Sequence, residues 1–182
     1  MAYLPGNEGG RAIADVICGD FNPCGKLPYT YPRYSGSLTT YDHKYSEGLP
    51  QKNPADGFYP LYEFGYGLSY TSFATSDLTI NKNQITDKDT ITVTVKVKNT
   101  GATAGKEVVQ LYVKDNYATI TPAVKKLRGF TKVLLQPGEE KMVTFKVSHN
   151  DLTFVNLKNE WVAEPGTFNV IVGDMTKEFE LK

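Results

Sequence analysis

The sequence of 182 residues has no excess of either charge and no long apolar run. Lysine plus arginine equals aspartate plus glutamate, at 20 each, so no long-range field attracts the chain to nucleic acid or anionic lipid. No segment approaches the roughly 20 apolar residues that a membrane-spanning helix requires. Neither nucleic acid nor a membrane is therefore an expected partner.

Cysteine and histidine, the common ligands of zinc, are also scarce. The cysteines, Cys18 and Cys24, are close in sequence, whereas the two histidines, His43 and His149, are far apart. This set does not provide the four ligands of a structural zinc site at a recognisable spacing, so we expect no metal and no cofactor. A disulfide between the cysteines is geometrically feasible, but two free thiols are the favoured interpretation, and the redox state stays open.

A secretory signal is missing from the first residues. Met-Ala-Tyr-Leu-Pro-Gly has neither the charged nor the apolar region of a signal peptide. Either the protein is cytosolic, or its export signal lies in sequence outside these 182 residues, so the localisation stays open.

The N-terminal part has helical periodicity. Apolar residues from Glu8 to Cys18 fall on one side at helical spacing, and Gly19 follows where a C-cap is expected. Because two or three turns of isolated helix are marginal in water, the apolar face needs a cover that the first thirty residues do not provide. Residues 25–32 favour a short strand, which two prolines confine to an edge or a loop. We expect residues 1–35 to add little stability to this chain.

A long connection follows, from residue 31 to residue 73. Arg33 to Glu63 show no sustained period and are rich in Ser, Gly, Thr, Asp, Pro and Tyr. Connections of this length are unusual in compact domains and are often functional. Nine tyrosines lie between residues 29 and 70, and their rings are apolar while their hydroxyls are polar. We expect this segment to pack against another body.

From residue 74 onward the apolar residues alternate with polar ones, as in half-buried strands. Ile91 to Val97 is the clearest example. In the strand after Gln136-Pro137-Gly138, Met142 and Phe145 fall on different phases of the apolar alternation. This predicts either a β-bulge or a strand boundary that is wrongly placed. Some seven short strands separated by Gly, Pro and Asn turns predict an antiparallel β-sandwich of the immunoglobulin or fibronectin type III kind.

Carboxylates are present in this part, but no pair has a reason to converge on a substrate. A glycosidase needs two carboxylates on opposite sides of a sugar pocket. The acidic residues lie instead at predicted strand ends and turns, where carboxylates are solvated or cap the backbone. They are Glu107, Asp115, Glu139, Glu140 and Asp151. We expect no catalytic residue in this chain.

One loop cluster favours contact with a ligand. Tyr41, Asp42 and His43 combine aromatic, charged and imidazole side chains in a single loop. Such a loop can stack on a sugar ring and form hydrogen bonds with its hydroxyls, and a solvated loop is the alternative.

Several blocks of the sequence resemble the C-terminal third of the family-3 glycoside hydrolases, of the β-glucosidase and β-xylosidase type. In the N-terminal part these blocks are Pro5–Val16, Gly19–Pro28 and Phe64–Tyr70. Later blocks resemble the fibronectin type III-like domain that ends many of these enzymes. They are Asn99–Gly101, Gly105–Tyr112, Leu127–Phe130, Leu135–Glu139 and Trp161–Gly166.

The resemblance implies a mainly β fold in three parts. Residues 1–30 correspond to the remnant of an α/β sandwich domain, with one helix and one short strand. Residues 31–73 are the Tyr-rich connection, and residues 74–182 form the fibronectin type III-like β-sandwich.

It also implies a chain that is inactive alone. In this family a (β/α)₈ barrel carries the nucleophilic aspartate and the following α/β domain carries the general acid/base of a retaining double displacement. Neither position is present here, so the expected partners are the barrel and α/β domains of a secreted or periplasmic parent enzyme. The alternative is a free-standing module that binds oligosaccharide or protein. Sugar and linkage specificity and the oligomeric state are left open.

Overall fold

The computed structural model describes residues 2–37, 39–48 and 57–182, which contain one α-helix, two 3-10 helices and ten strands. The helix α1 spans Gly9–Cys18, and the 3-10 helices span Tyr45–Gly48 and His149–Leu152. The strands are β1 Phe73–Ile80, β2 Gln84–Ile85, β3 Thr90–Asn99, β4 Gly105–Asp115, β5 Lys126–Leu135, β6 Glu140–Ser148, β7 Phe154–Val155, β8 Trp161–Val162, β9 Gly166–Val172 and β10 Met175–Leu181.

Most strands of the described residues belong to two sheets. One has three strands in the order β1-β3-β6, and the other has five in the order β2-β10-β9-β4-β5. Neighbouring strands are antiparallel, except that β2 pairs with β10 in parallel. A short hairpin, β7-β8, stands apart and carries Trp161, whose side chain is 73% exposed. The mainly β, antiparallel sandwich predicted from the sequence is confirmed.

The hydrophobic core lies between the two sheets because alternate residues of each strand point inward. Ile91 to Val97 of β3 present four fully buried side chains, which face Leu111 of β4 and Val170 of β9 in one cluster. The rings of Phe168 and Phe179 stack with their centroids 5.6 Å apart. Each such aliphatic or aromatic side chain contributes about 1.5–3 kcal/mol through burial.

Strand β6 does not change phase, so the predicted irregularity was wrong. Its register with β3 runs without interruption from Ser148 to Glu140. Val143 is buried on the same face as Phe145, whereas Met142 is 56% exposed on the opposite face. Met142 was misread as an inward position because methionine is apolar. The register shifts occur elsewhere, in β1 and at the β4–β5 pairing.

The predicted helix is confirmed at its C-terminus. Gly19 adopts a left-handed conformation, with φ 86°, and its N–H donates to the Val16 carbonyl at 3.2 Å. Instead of the expected short strand, residues 25–32 contribute an isolated bridge between Tyr31 and Tyr62. The prolines of this segment lack the N–H donors that a longer ladder needs.

Asn22 connects the helix end to the sandwich. Its Nδ2 donates to the Ala104 carbonyl at 3.0 Å, and its Oδ1 accepts from Ser69 Oγ and from the Tyr70 N–H, each at 2.8 Å. The Tyr70 hydroxyl in turn donates to the Val16 carbonyl at 2.7 Å. These hydrogen bonds give the N-terminal residues a direct link to the β3–β4 turn, which the sequence does not reveal.

The phase of β6 can be tested with two neighbouring substitutions. We expect Val143→Ala to lower the free energy of unfolding by about 2 kcal/mol, because it leaves a cavity between the sheets. The control, Met142→Ala, removes an exposed side chain and changes it by less than about 0.5 kcal/mol. Urea unfolding followed by circular dichroism measures both. Equal losses for the two variants would contradict the assigned register.

Candidate functional site

Residues 58–66 of the connection lie on the outer face of the five-stranded sheet. Together they form a groove of about 660 Å³ that is lined by aromatic rings of residues 58–66 and by the outward side chains of β4. The N-terminal part adds Lys26, whose Nζ lies 3.4 Å from a carboxylate oxygen of Glu107. Because Leu27 also exchanges backbone hydrogen bonds with Gly65 and Tyr66, three segments meet at this groove.

Gly65 allows the connection to approach the sheet closely. Its φ is +83°, and a Cβ at this position would collide with the Gln110 side chain and lie 2.7 Å from the Tyr112 hydroxyl oxygen. Gln110 Nε2 donates to the Gly65 carbonyl at 3.1 Å. A residue with a side chain is therefore excluded by both the space and the backbone conformation.

Tyr112 fixes the orientation of Gln110. Its hydroxyl donates to Gln110 Oε1 at 2.5 Å, and the Lys125 ammonium lies 4.7 Å above its ring. Burial above all, together with the electrostatic effects of Tyr41 and Glu63, raises the pKa of Tyr112 to about 12. The phenol thus stays protonated at neutral pH and acts as a permanent donor.

The structure places Tyr41 against the sandwich. Its phenolic oxygen accepts the Leu127 N–H at 2.5 Å, and its ring lies 4.7 Å from the ring of Phe64. The side chain is still 39% exposed. Tyr41 therefore anchors the loop to β5 while part of its side chain stays accessible.

His43 is held by its backbone and by its ring. Its carbonyl accepts the Val124 N–H at 3.0 Å, and its ring stacks on Phe58 with centroids 3.4 Å apart. Its Nδ1 is buried without a hydrogen-bond partner. Asp42, between the two anchors, is exposed. The loop that the sequence offered as a ligand contact is thus docked on the β4–β5 connection.

The carboxylates considered from sequence have structural partners. Glu107 and Glu140 pair with Lys26 and Lys98, whereas Asp151 accepts from the Ser148 N–H. Asp115 and Glu139 accept backbone N–H groups in turns. Among the described residues, no group of His, Cys, Asp or Glu is arranged to hold a metal ion. No helix in these ranges is both long and apolar enough to cross a membrane.

Gln110 and Tyr112 were missed by the sequence reasoning. The alternation of β4 places Gln110 on the outer face, but a lone glutamine among valines gives no signal of what it contacts. Its partner Gly65 lies 45 residues away. The available signal was the glycine between two aromatic residues, which indicates a close backbone approach.

Comparison with known proteins extends over both parts of the chain. Residues 1–70 match the Glycosyl hydrolase family 3 C-terminal domain, and residues 107–176 match the Fibronectin type III-like domain. The chain is 41% identical to the Periplasmic beta-glucosidase of Salmonella typhimurium, over 94% of this chain and 24% of that protein. It is also 41% identical to the Beta-xylosidase of Formosa agariphila, over 99% of this chain and 25% of that protein.

Solved structures give the same result. A β-glucosidase from Erythrobacter marinus superimposes with a TM-score of 0.91 at 38% identity, covering 100% of this chain and 25% of the other. The β-glucosidase of Listeria innocua in complex with glucose gives a TM-score of 0.88 at 36% identity, and the match covers 100% of this chain and 27% of the other. The chain thus spans about a quarter of the length of these relatives. It matches the C-terminal part of the family-3 glycoside hydrolases, the end of the α/β sandwich domain followed by the fibronectin type III-like domain.

Proposed function

We propose that this chain is the non-catalytic C-terminal part of a β-glucosidase-like hydrolase, and that its sandwich supports the barrel and α/β domains of the parent enzyme. The parent would hydrolyse terminal β-glycosidic bonds by retaining double displacement. The relatives named β-glucosidase and β-xylosidase support this proposal, since the chain matches about a quarter of each. We place the parent outside the cytoplasm because one of these relatives is named a periplasmic enzyme.

The observation that carries the proposal is the uncovered face of α1. Ile17 is 74% exposed and Ile13 is 38% exposed, although both belong to the apolar side of the helix. A ten-residue helix is marginal without tertiary packing, so this side needs a neighbouring surface. The sheet of an α/β domain would supply such a surface, which agrees with a role for residues 1–30 as the end of that domain.

Each of the three segments has a separate role in this proposal. Residues 1–30 complete the α/β domain, residues 31–73 hold it against the sheet, and residues 74–182 form the supporting sandwich. The contacts of Gly65 with Gln110 and of Lys26 with Glu107 favour a fixed spacing between these parts.

The first test is catalytic. We expect the purified 182-residue chain to release no product above buffer from a chromogenic β-glucoside, because the nucleophile and the acid/base of the family lie outside it. An intact family-3 β-glucosidase serves as the positive control. Retaining hydrolysis by this chain, detected by the anomeric form of the product, would refute the proposal.

The second test places α1 in a complete enzyme. We expect a chimera of the Salmonella β-glucosidase that carries this chain as its C-terminal quarter to fold and hydrolyse the glucoside. Adding Ile17→Glu should destabilise the chimera by more than about 2 kcal/mol, because an unpaired carboxylate is buried at the new contact. In the isolated chain the same change should cost less than about 0.5 kcal/mol, since the position is solvated.

Ala14→Glu is the matched control in both proteins. It adds the same charge to the same helix, outside the apolar face. Thermal unfolding of the four variants and of the two unmodified proteins gives the loss of stability caused by each substitution. Equal effects of Ile17→Glu in the chimera and in the isolated chain would show that the helix does not dock on the added domains.

A second candidate function is oligosaccharide binding at the loop of Tyr41, Asp42 and His43. The specific observation is the fixed position of the Tyr41 ring, which is anchored through its hydroxyl and partly accessible. A rigid aromatic ring beside polar side chains is suited to stacking on a sugar, at a low entropic cost.

Two substitutions at one position test this candidate. If the ring stacks on sugar, cello- and xylo-oligosaccharides should bind saturably in calorimetric titrations. Tyr41→Phe should weaken binding, because it keeps the ring and loses the anchoring hydroxyl, and Tyr41→Ala should abolish it. Tyr117→Ala removes another exposed ring and is the control. Titrations without saturable heat for the unmodified chain would exclude the site.

A further inference from the structure

A small charged cavity lies beneath the connection between β4 and β5. Its volume is about 60 Å³, and it is enclosed by this connection, by the 3-10 helix at His149–Leu152 and by the start of β5. One water needs about 10–15 Å³ by this type of measure, so the cavity accommodates several waters or one small polyatomic ion. Its charged lining residues are Lys44, Asp115, Lys126, Arg128 and Asp151.

Arg128 presents an unused donor in this region. Its Nη2 donates to the Thr153 carbonyl at 3.2 Å, whereas its Nε is buried and has no hydrogen-bond partner. A buried donor on a charged group is costly to leave unpaired. The guanidinium therefore needs an acceptor that the described protein atoms do not supply.

The lining carries charged groups of both signs. Lys44, Lys126 and Arg128 contribute three cationic groups, against the two carboxylates of Asp115 and Asp151. Both carboxylates already accept hydrogen bonds, Asp115 from the Tyr117 N–H at 3.1 Å and Asp151 from the Ser148 N–H and Oγ at 2.7 and 2.8 Å. Both carboxylates thus serve local turns, and neither accepts a hydrogen bond from Arg128 Nε.

The neighbouring cations also affect one another. Burial lowers the pKa of Lys126, and the charges of Arg128 and Lys44 lower it further, while Asp42 opposes the change. Mutual repulsion of this kind is relieved when a negative charge is placed between the groups. An anion here would interact with both the loop that carries Lys44 and the first residues of β5.

We propose that this cavity is a binding site for a small oxyanion of the size of acetate or phosphate, whose oxygen accepts the Arg128 Nε–H. The ion is held by charge-assisted hydrogen bonds from Arg128 and by the field of Lys126. It stabilises the docking of the loop at Lys44 on the sandwich, where Lys44 pairs with Ala123. The site is independent of the proposed support of catalytic domains.

Nuclear magnetic resonance of the arginine side chains tests this site directly. The chain has three arginines, so the ¹H–¹⁵N spectrum of the full-length labelled protein has three Nε–Hε signals. Arg11 and Arg33 are exposed and serve as internal controls. Arg11→Lys and Arg33→Lys assign the signals by elimination, without altering Arg128.

Sodium acetate and sodium phosphate are then titrated separately at constant ionic strength. We expect the Arg128 signal to shift saturably in the low-millimolar range, whereas the two control signals change little and linearly. The ion that saturates the shift of the Arg128 signal at the lower concentration shows whether the cavity prefers a planar or a tetrahedral oxyanion. If the Arg128 signal behaves as the two controls do with both ions, the cavity holds water only and the proposal is overturned.

A pair of lysine variants tests the role of the second cation. Lys126→Met should weaken binding by about tenfold, because it removes a charge at the cavity. Lys132→Met, at an exposed position of the same strand, should bind as the unmodified chain does. Equal affinities of both variants would contradict the assignment of the ion to this cavity. If Lys126→Met does not fold, the Arg128 titration of the unmodified chain still decides.

Discussion

The close approach of the connection to the sheet at Gly65 is the constraint on which the N-terminal half of this structure depends. Gln110 binds the Gly65 carbonyl, and Tyr112 holds Gln110 in place with a proton that it does not lose near neutral pH. Since Gly65 also pairs with Leu27, the same contact positions the segment that leads to α1. The described residues before β1 thus obtain a defined path from one polar pair on a strand.

The sequence predicts the sandwich well because burial imposes a period of two on it. Ile91 to Val97 indicate a strand by alternation alone, and Gly19 indicates the helix end by its conformational freedom. The failure at Met142 has a simple origin, because apolar character shows only that a side chain can be buried. The neighbouring Val143 makes the correct alternation with Phe145, and only the register with β3 distinguishes the two phases.

The candidate site was predictable only in part. Tyr41, Asp42 and His43 stand out by their chemistry, but their anchors, Leu127, Phe58 and Val124, lie on distant or irregular segments. The same holds for Asn22 and Ala104, which are 82 residues apart. Contacts of this kind depend on the path of the chain in space, for which a single sequence has no periodic signal.

The position of Trp161 has a practical consequence for the spectroscopy of this protein. It is the only tryptophan of the chain, and it lies on the β7-β8 hairpin with most of its indole in water, away from the cluster between the sheets. Its emission maximum will be close to that of a solvated indole already in the native state. Melting of the core will therefore change intrinsic fluorescence weakly, and the aromatic signal of the native packing comes from the tyrosines and phenylalanines instead.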